Sequence, residues 1–104
     1  MKTKHTQGEW KLNQNGDQQE YIIFAYTTYT ASAIASVYSN IQHHSDVSCP
    51  EISEDEAKAN AKLIVAAPEM LENLIRCVDR LEENGMGDMS AVKRAKTAIK
   101  KATA

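Results

Sequence analysis

The chain has 104 residues, a formal net charge of −2 and two cysteines. This length predicts a single domain over residues 1–104 with a modest core, near the size at which oligomerisation adds useful stability. The slightly acidic balance excludes a globally basic nucleic-acid binder. Because the first twenty residues carry no apolar core and no segment approaches membrane-spanning length, we expect a cytoplasmic protein. Cys49 and Cys77 show no paired spacing and are expected to be free thiols.

Two segments near the start of the chain have the character of paired strands. Residues 9–13 alternate Trp10 and Leu12 with polar neighbours, as a half-buried strand does. Asn15-Gly16 follows, which is a strong hairpin signal. Residues 20–28 are rich in aromatic and β-branched side chains, which is typical of a central strand.

A third strand is predicted over residues 31–39. Ile34, Ser36 and Tyr38 alternate there with smaller residues, although alanine would also permit a helix. Three strands over residues 9–39 predict an antiparallel meander, and such a sheet needs a helical layer to cover one face. The predicted fold class is therefore α+β.

Residues 40–52 mix polar residues with a proline and are expected to form a long loop. This loop contains four potential metal ligands, namely His43, His44, Asp46 and Cys49. Their spacing matches no standard zinc pattern, and no second pair of Cys or His residues completes a tetrahedral set. We expect neither a metal site nor a cofactor.

The helical part of the chain is predicted over residues 53–102, and its first helix over 53–66. Ser53 can cap the first turn while Glu56, three residues on, reaches back to the cap. The inner face of this helix is rich in alanine. Asn60 lies on the same side and is the one polar group that the apolar stripe would carry inward.

Pro68 is expected to end the first helix near Ala66 and to open a second helix over residues 68–84, because proline suits a first helical turn. Glu72 and Arg76 are expected to pair on the outer side of this second helix. The second helix carries a wide apolar face that predicts burial against another subunit, hence a homo-oligomer. The candidate interface residues on this face are Met70, Leu71, Leu74, Ile75, Val78 and Leu81.

A third helix is predicted over residues 89–102, after a tight connection at residues 85–88. Its apolar stripe is narrow and made mainly of alanine. The rest of its surface carries Lys93, Arg94, Lys96, Lys100 and Lys101. A basic helix can lie on a phosphate backbone, but a solvated face is the more ordinary explanation.

The sequence contains no recognised nucleophile motif, no glycine-rich phosphate loop and no zinc-protease or Rossmann pattern. Its carboxylates cluster at helix starts and on solvated faces, so no general acid–base pair is indicated. We therefore expect a protein that is not an enzyme.

Two segments resemble a family of small phage and prophage proteins. They are His5-Thr6-Gln7-Gly8-Glu9-Trp10 and the stretch at residues 57–71, AKANAKLIVAAPEML. Sequences of this family begin near HTPGPW and later read EANARLIAAAPELLEAL. In this chain Gln7 stands where those sequences have proline. The resemblance covers about a fifth of the chain and leaves out the third helix. It implies an αβ fold and a phage or prophage accessory role, and it implies no particular activity.

The sequence features and this resemblance lead to three hypotheses about function. In the first, the protein binds and sequesters a small nucleotide-derived signal of a bacterial defence system, by analogy with other small phage proteins. Aromatic faces would hold the base and a cation the phosphate, and the candidate residues are Asn60, Trp10, Tyr26, Tyr29, Tyr38 and Arg76. In the second, residues 70–81 dock a host or phage protein. In the third, the last helix binds nucleic acid.

Overall fold

The computed structural model describes residues 3–14, 20–26, 29–39 and 52–104. The elements follow the chain as strands β1 (Glu9–Gln14), β2 (Glu20–Tyr26) and β3 (Ala31–Tyr38), then helices α1 (Glu54–Glu83) and α2 (Ser90–Thr103). The strands form one antiparallel sheet in the order β1-β2-β3. This confirms the α+β class and the three-stranded meander. The expected turn at Asn15-Gly16 and the four potential metal ligands, His43, His44, Asp46 and Cys49, lie outside the described residues.

The two faces of the sheet differ in burial. On β2, Tyr21, Ile23 and Ala25 are buried, while the alternate residues Ile22 and Phe24 are only half-buried. Side chains two residues apart on a strand share a face, so β2 turns one face inward and leaves the other more open.

The inner face of the sheet packs against the first half of α1. Tyr21 forms a buried cluster with Ala57 and Ala61 of the helix, which are both fully buried. Leu12 and Val37, from the two outer strands, pack around this cluster. Alanines at these helix positions let the backbone of α1 approach the sheet closely, as the alanine-rich stripe predicts.

Strand β3 contains an irregularity that the alternating sequence pattern does not reveal. Ile23 pairs with Ala35 and Phe24 pairs with Ala33, so Ile34 is an extra residue without a cross-strand partner in this ladder. This two-against-one count is a β-bulge. It brings Tyr38 to the same face of the sheet as Tyr26.

The expected break at Pro68 is wrong, because α1 continues through this residue as one helix of 30 residues. The described residues 52–104 therefore contain two helices where the sequence predicted three. An internal proline loses one backbone hydrogen bond and crowds the preceding turn. Strong helix-forming residues on both sides, chiefly alanine, leucine, glutamate and lysine, offset this local cost, since each further residue adds its own hydrogen bond once a helix is nucleated.

Both ends of α1 follow the sequence signals. At its start the Glu56 amide donates to Ser53 Oγ at 3.1 Å, which confirms the predicted cap. At its end the Met86 amide donates to the Leu81 carbonyl at 2.8 Å and the Gly85 amide donates to the Glu82 carbonyl at 3.1 Å. This pair of bonds is a Schellman motif, and it requires the positive φ of 76° that Gly85 adopts.

The second half of α1 packs against α2. Val78 of α1 forms a buried cluster with Val92 and Ile99 of α2. Lys96 of α2 also forms an ion pair with Glu82 of α1 at 3.0 Å. The helix pair therefore has its own small core.

The chain divides into two compact units, and α1 contributes to both. Residues Thr6–Ala66 contain the sheet and the first half of α1, while Ala67–Ala104 contain the second half of α1 and α2. The single-domain assignment stays a prediction. No helix in the described part of the chain is long and apolar enough to cross a membrane.

Candidate binding surfaces

The open face of the sheet carries an aromatic pair beside a cation. The rings of Phe24 and Tyr26 lie 6.1 Å apart between centroids, and the Lys11 ammonium lies 5.4 Å from the centroid of Tyr26. Tyr26 is 38% exposed and Tyr38, on the same face, is 58% exposed. Rings with accessible faces beside a cation can hold a flat ligand by stacking and an anionic group by charge.

The structure separates the six ligand-binding candidates. Tyr26 and Tyr38 share the open sheet face, whereas Trp10 pairs with Ala25 on the inner face and donates from Nε1 to the Thr6 carbonyl at 3.0 Å. Tyr29 precedes β3 and is 91% exposed.

The two remaining ligand candidates lie on α1. Asn60 is exposed, so the expectation that the alanine stripe carries its amide inward is wrong. The buried side of α1 at this level is formed by Ala57 and Ala61. Because water reaches Asn60, its amide needs no protein or ligand partner to avoid a desolvation cost. Arg76 forms the expected ion pair with Glu72 at 2.7 Å.

The wide apolar face predicted for residues 70–81 is partly covered by α2. Val78 is buried, and Leu71, Leu74, Ile75 and Leu81 pack around its cluster. The sequence predicted burial of this face against another subunit, whereas α2 of the same chain covers part of it. Met70 remains 55% exposed.

A second apolar line runs along α1 beside the covered side, and we call it the α1 row. Its members are alternately four and three residues apart: Leu63, Ala67, Met70, Leu74, Cys77 and Leu81. Leu63 is 60% exposed and Met70 is 55% exposed. Ala67 and Cys77 are exposed as well, and Cys77 is a free thiol. The sequence prediction did not join Leu63 and Ala67 to the apolar residues that follow Pro68, because the expected break at Pro68 divided this line.

Helix α2 presents its cations to solvent. All five of its Lys and Arg residues are exposed, and an open depression on its surface is lined by Lys96, Thr97, Lys100 and Thr103. The hydroxyls of Thr97 and Thr103 donate to carbonyls of the preceding helical turn, and Lys96 is engaged by Glu82. Exposed charge is thus the feature on which nucleic-acid binding by α2 would depend.

Within residues 3–14, 20–26, 29–39 and 52–104, no group of three or more His, Cys, Asp or Glu side chains is placed to hold a metal ion. The described part of the structure thus offers three surfaces for recognition: the open sheet face, the α1 row and the basic side of α2.

These surfaces belong to a small α+β protein, whose described residues form a three-stranded sheet and two helices with accessible aromatic and apolar groups. Over residues 1–104 the chain matches the family described as Salmonella phage P22 protein Y8K6. The chain belongs to this family and is a phage protein. Searches of curated proteins and of solved structures find no match.

Proposed function

We propose that this phage protein acts by binding, without turnover, and that the α1 row docks a protein partner. The observation that carries the proposal is the exposure of Leu63 and Met70, at 60% and 55%, in line on one helix. Apolar side chains that recur along one helix face suit a flat or helical protein surface. Small molecules, in contrast, bind mostly in concave pockets.

The size of the exposed side chains supports a protein partner. Burying a leucine or methionine side chain contributes roughly 1.5–3 kcal/mol. Two such side chains, together with the half-buried Leu74 and Leu81, can form the apolar centre of an interface with a polar rim. Asn73 and Arg80 of α1 are exposed and lie about 80–100° around the helix from the row, so they can supply part of that rim.

Native mass spectrometry from bacterial lysate tests this proposal, because it reports bound protein, bound ligand and oligomer mass together. We expect the wild type to carry a protein partner or a second copy, and Met70→Asp to lose it because a charge would be buried at the contact. Met89→Asp is the matched control, since Met89 has a similar exposure of 47% and lies outside the row. A wild type seen only at 11.5 kDa would overturn the proposal.

A second candidate function is favoured by the distance of 5.4 Å between the Lys11 ammonium and the Tyr26 ring. This pairing supports recognition of a small nucleotide-derived ligand, with its base on the aromatic side chains and its phosphate near Lys11. Calorimetry with cyclic and linear nucleotides tests it. We expect Tyr26→Leu to weaken binding about tenfold and Tyr29→Leu to leave it unchanged, since a stacked aromatic group contributes roughly 1–3 kcal/mol. Failure of the wild type to bind any nucleotide would exclude this candidate.

A further inference from the structure

We propose that the basic side of α2 binds the phosphate groups of duplex DNA, with little dependence on base sequence. This surface is separate from the α1 row, and the inference does not rest on the proposed function. Its basis is the arrangement of the five cations of α2 on both sides of a strip of short side chains, away from the side that packs on α1.

The cations of α2 form two rows on its exposed side, as the turn of about 100° per residue places them. One row contains Lys93, Lys96 and Lys100, and the other contains Arg94 and Lys101. Ser90 and Thr97 lie between the rows and are exposed as well. The helix therefore presents a strip of short side chains with a positive row on each side of it.

The other side of α2 is occupied by packing. Val92 and Ile99 are both 1% exposed and form a buried cluster with Val78 of α1. They lie about 140–160° around the helix from Thr97. A helix that lies in a membrane surface needs its apolar side free to enter the lipid. Because this side of α2 is buried within the protein, its cations suit a polyanion that is bound by charge without insertion.

The helix dipole accounts for only part of this charge. Lys100 and Lys101 lie in the last turn, where cations are favourable. Lys93 and Arg94 lie near the other end, where the dipole favours acidic residues, and the first turn of α2 has none. Helix stability therefore does not explain the cations near this end, whereas a ligand with phosphates along the length of the helix does.

The arrangement matches the major groove of B-form DNA. This groove is about 12 Å wide and admits an α-helix. Phosphates line both of its walls and base edges form its floor, so a helix lying in it needs cations on two sides. With the strip at Thr97 toward the floor, Lys93 and Lys100 face one wall. Arg94 and Lys101 then face the other wall.

The side chains of α2 predict contact with phosphates and little reading of bases. Its sequence contains no asparagine or glutamine, the residues that read adenine. The hydroxyl of Thr97 donates to the Lys93 carbonyl at 3.1 Å. The helix also contains no aromatic residue to stack on the bases of a single strand. Duplex RNA is a poorer fit, because its major groove is deep and narrow. The ligand class is therefore duplex DNA.

Nearby acidic charge limits the number of phosphate contacts. Glu82 of α1 forms an ion pair with Lys96 at 3.0 Å, so Lys96 is not counted among them. The chain as a whole carries a net charge of −2, but its repulsion of DNA is largely screened beyond about 10 Å at 0.1 M salt. Four phosphate contacts give a slope of about −3.6 for the logarithm of the binding constant against the logarithm of salt concentration.

Fluorescence anisotropy of a labelled DNA duplex of arbitrary sequence, titrated with the full chain, measures this slope. Affinity should fall about 100–200-fold between about 50 and 200 mM salt. Lys93→Gln and Lys101→Gln remove one cation from each row, and each should make the slope shallower by about 0.9. Lys62→Gln, the same change at an exposed position of α1, should leave the slope unchanged. A wild type that does not bind the duplex at about 50 mM salt would overturn the proposal.

A matched pair of added charges tests the direction of the binding side. Thr97→Glu places a carboxylate between the two rows and should weaken binding at least about tenfold. Ala102→Glu adds the same charge to the same helix at an exposed position about 140° away, and should change affinity less than about twofold. Circular dichroism checks that both variants keep the helical content of the wild type. Equal losses of affinity for the two variants would overturn the proposal.

Two further ligands separate DNA from other polyanions. Duplex RNA of the same sequence should bind at least about tenfold more weakly, and equal affinity for both duplexes would overturn the placement in the major groove. Vesicles of phosphatidylserine and phosphatidylcholine should not retain the protein at about 0.15 M salt. Retention by these vesicles that depends on Lys93 and Lys101, without binding to the DNA duplex, would overturn the proposal in favour of a membrane surface.

Discussion

Replacement of Pro68 by alanine should stabilise the protein, because Pro68 lies in the middle of one continuous helix. As the residue lacks an amide hydrogen, it cannot bond to the carbonyl of Ile64, four residues earlier, and its ring crowds that turn. In a helix interior proline is about 3 kcal/mol less favourable than alanine, and glycine about 1 kcal/mol less favourable. The expected gains are therefore about 3 kcal/mol for Pro68→Ala and about 2 kcal/mol for Pro68→Gly.

Thermal unfolding followed by circular dichroism measures this effect. For a chain of this size 1 kcal/mol corresponds to about 4–8 °C in Tm, so Pro68→Ala should raise Tm by about 12–24 °C. Pro68→Gly should raise it by about 8–16 °C, which makes it a control that restores the amide without the helix propensity of alanine. If Pro68 instead opened a second helix, alanine would bring no gain, because proline is favourable at a first helical position. An unchanged or lower Tm for Pro68→Ala would thus refute the continuous helix.

Three further substitutions test the ends and the core of the helices by chemical denaturation. Gly85→Ala should lower the free energy of unfolding by about 1–2 kcal/mol, because the φ of 76° is unfavourable for alanine. A steric clash plays no part, since the added Cβ would meet no atom within 4 Å. A smaller loss for Gly85→Ala than for Gly85→Asn would contradict this reasoning. Met89→Ser should raise the free energy of unfolding by about 1 kcal/mol, since Met89 precedes α2 with extended backbone and makes no side-chain cap. Met86→Ser lies outside the cap position and should bring no such gain. Ile99→Ala should cost about 2–5 kcal/mol because Ile99 is 1% exposed, and a loss no larger than that of exposed Lys100→Ala would count against its place in the core.

Strand positions could be predicted closely from the sequence because alternation on a half-buried sheet is a strong local signal. The expected segments 9–13, 20–28 and 31–39 correspond to β1, β2 and β3. The bulge at Ile34 could not be predicted, since it depends on pairing with β2 and leaves the local composition unchanged.

Helix ends were predicted better than helix continuity. The cap at Ser53 and the turn at Gly85 are local signals, and both are present in the structure. Continuation through Pro68 depends on the helical sequence on both sides of it, which a rule about one residue does not weigh.

The candidate site was the least predictable part. Asn60 was expected on the inner side because it neighbours Ala57 and Ala61, but 3.6-residue periodicity gives these neighbours different directions around the helix. Val78 was assigned to an interface because the sequence does not show that α2 covers it. Both errors concern which element packs on which face, and periodicity alone does not specify that.

The extra residue in β3 has a consequence for how relatives of this protein can differ in length. Loss of one residue from a strand normally turns every following side chain to the opposite face. Ile34 is different, because Ala33 and Ala35 already point to opposite faces and pair with adjacent residues of β2. A chain without Ile34 would keep Val37 inside and Tyr38 outside. We therefore expect single-residue deletions within β3 among relatives to fall at this position.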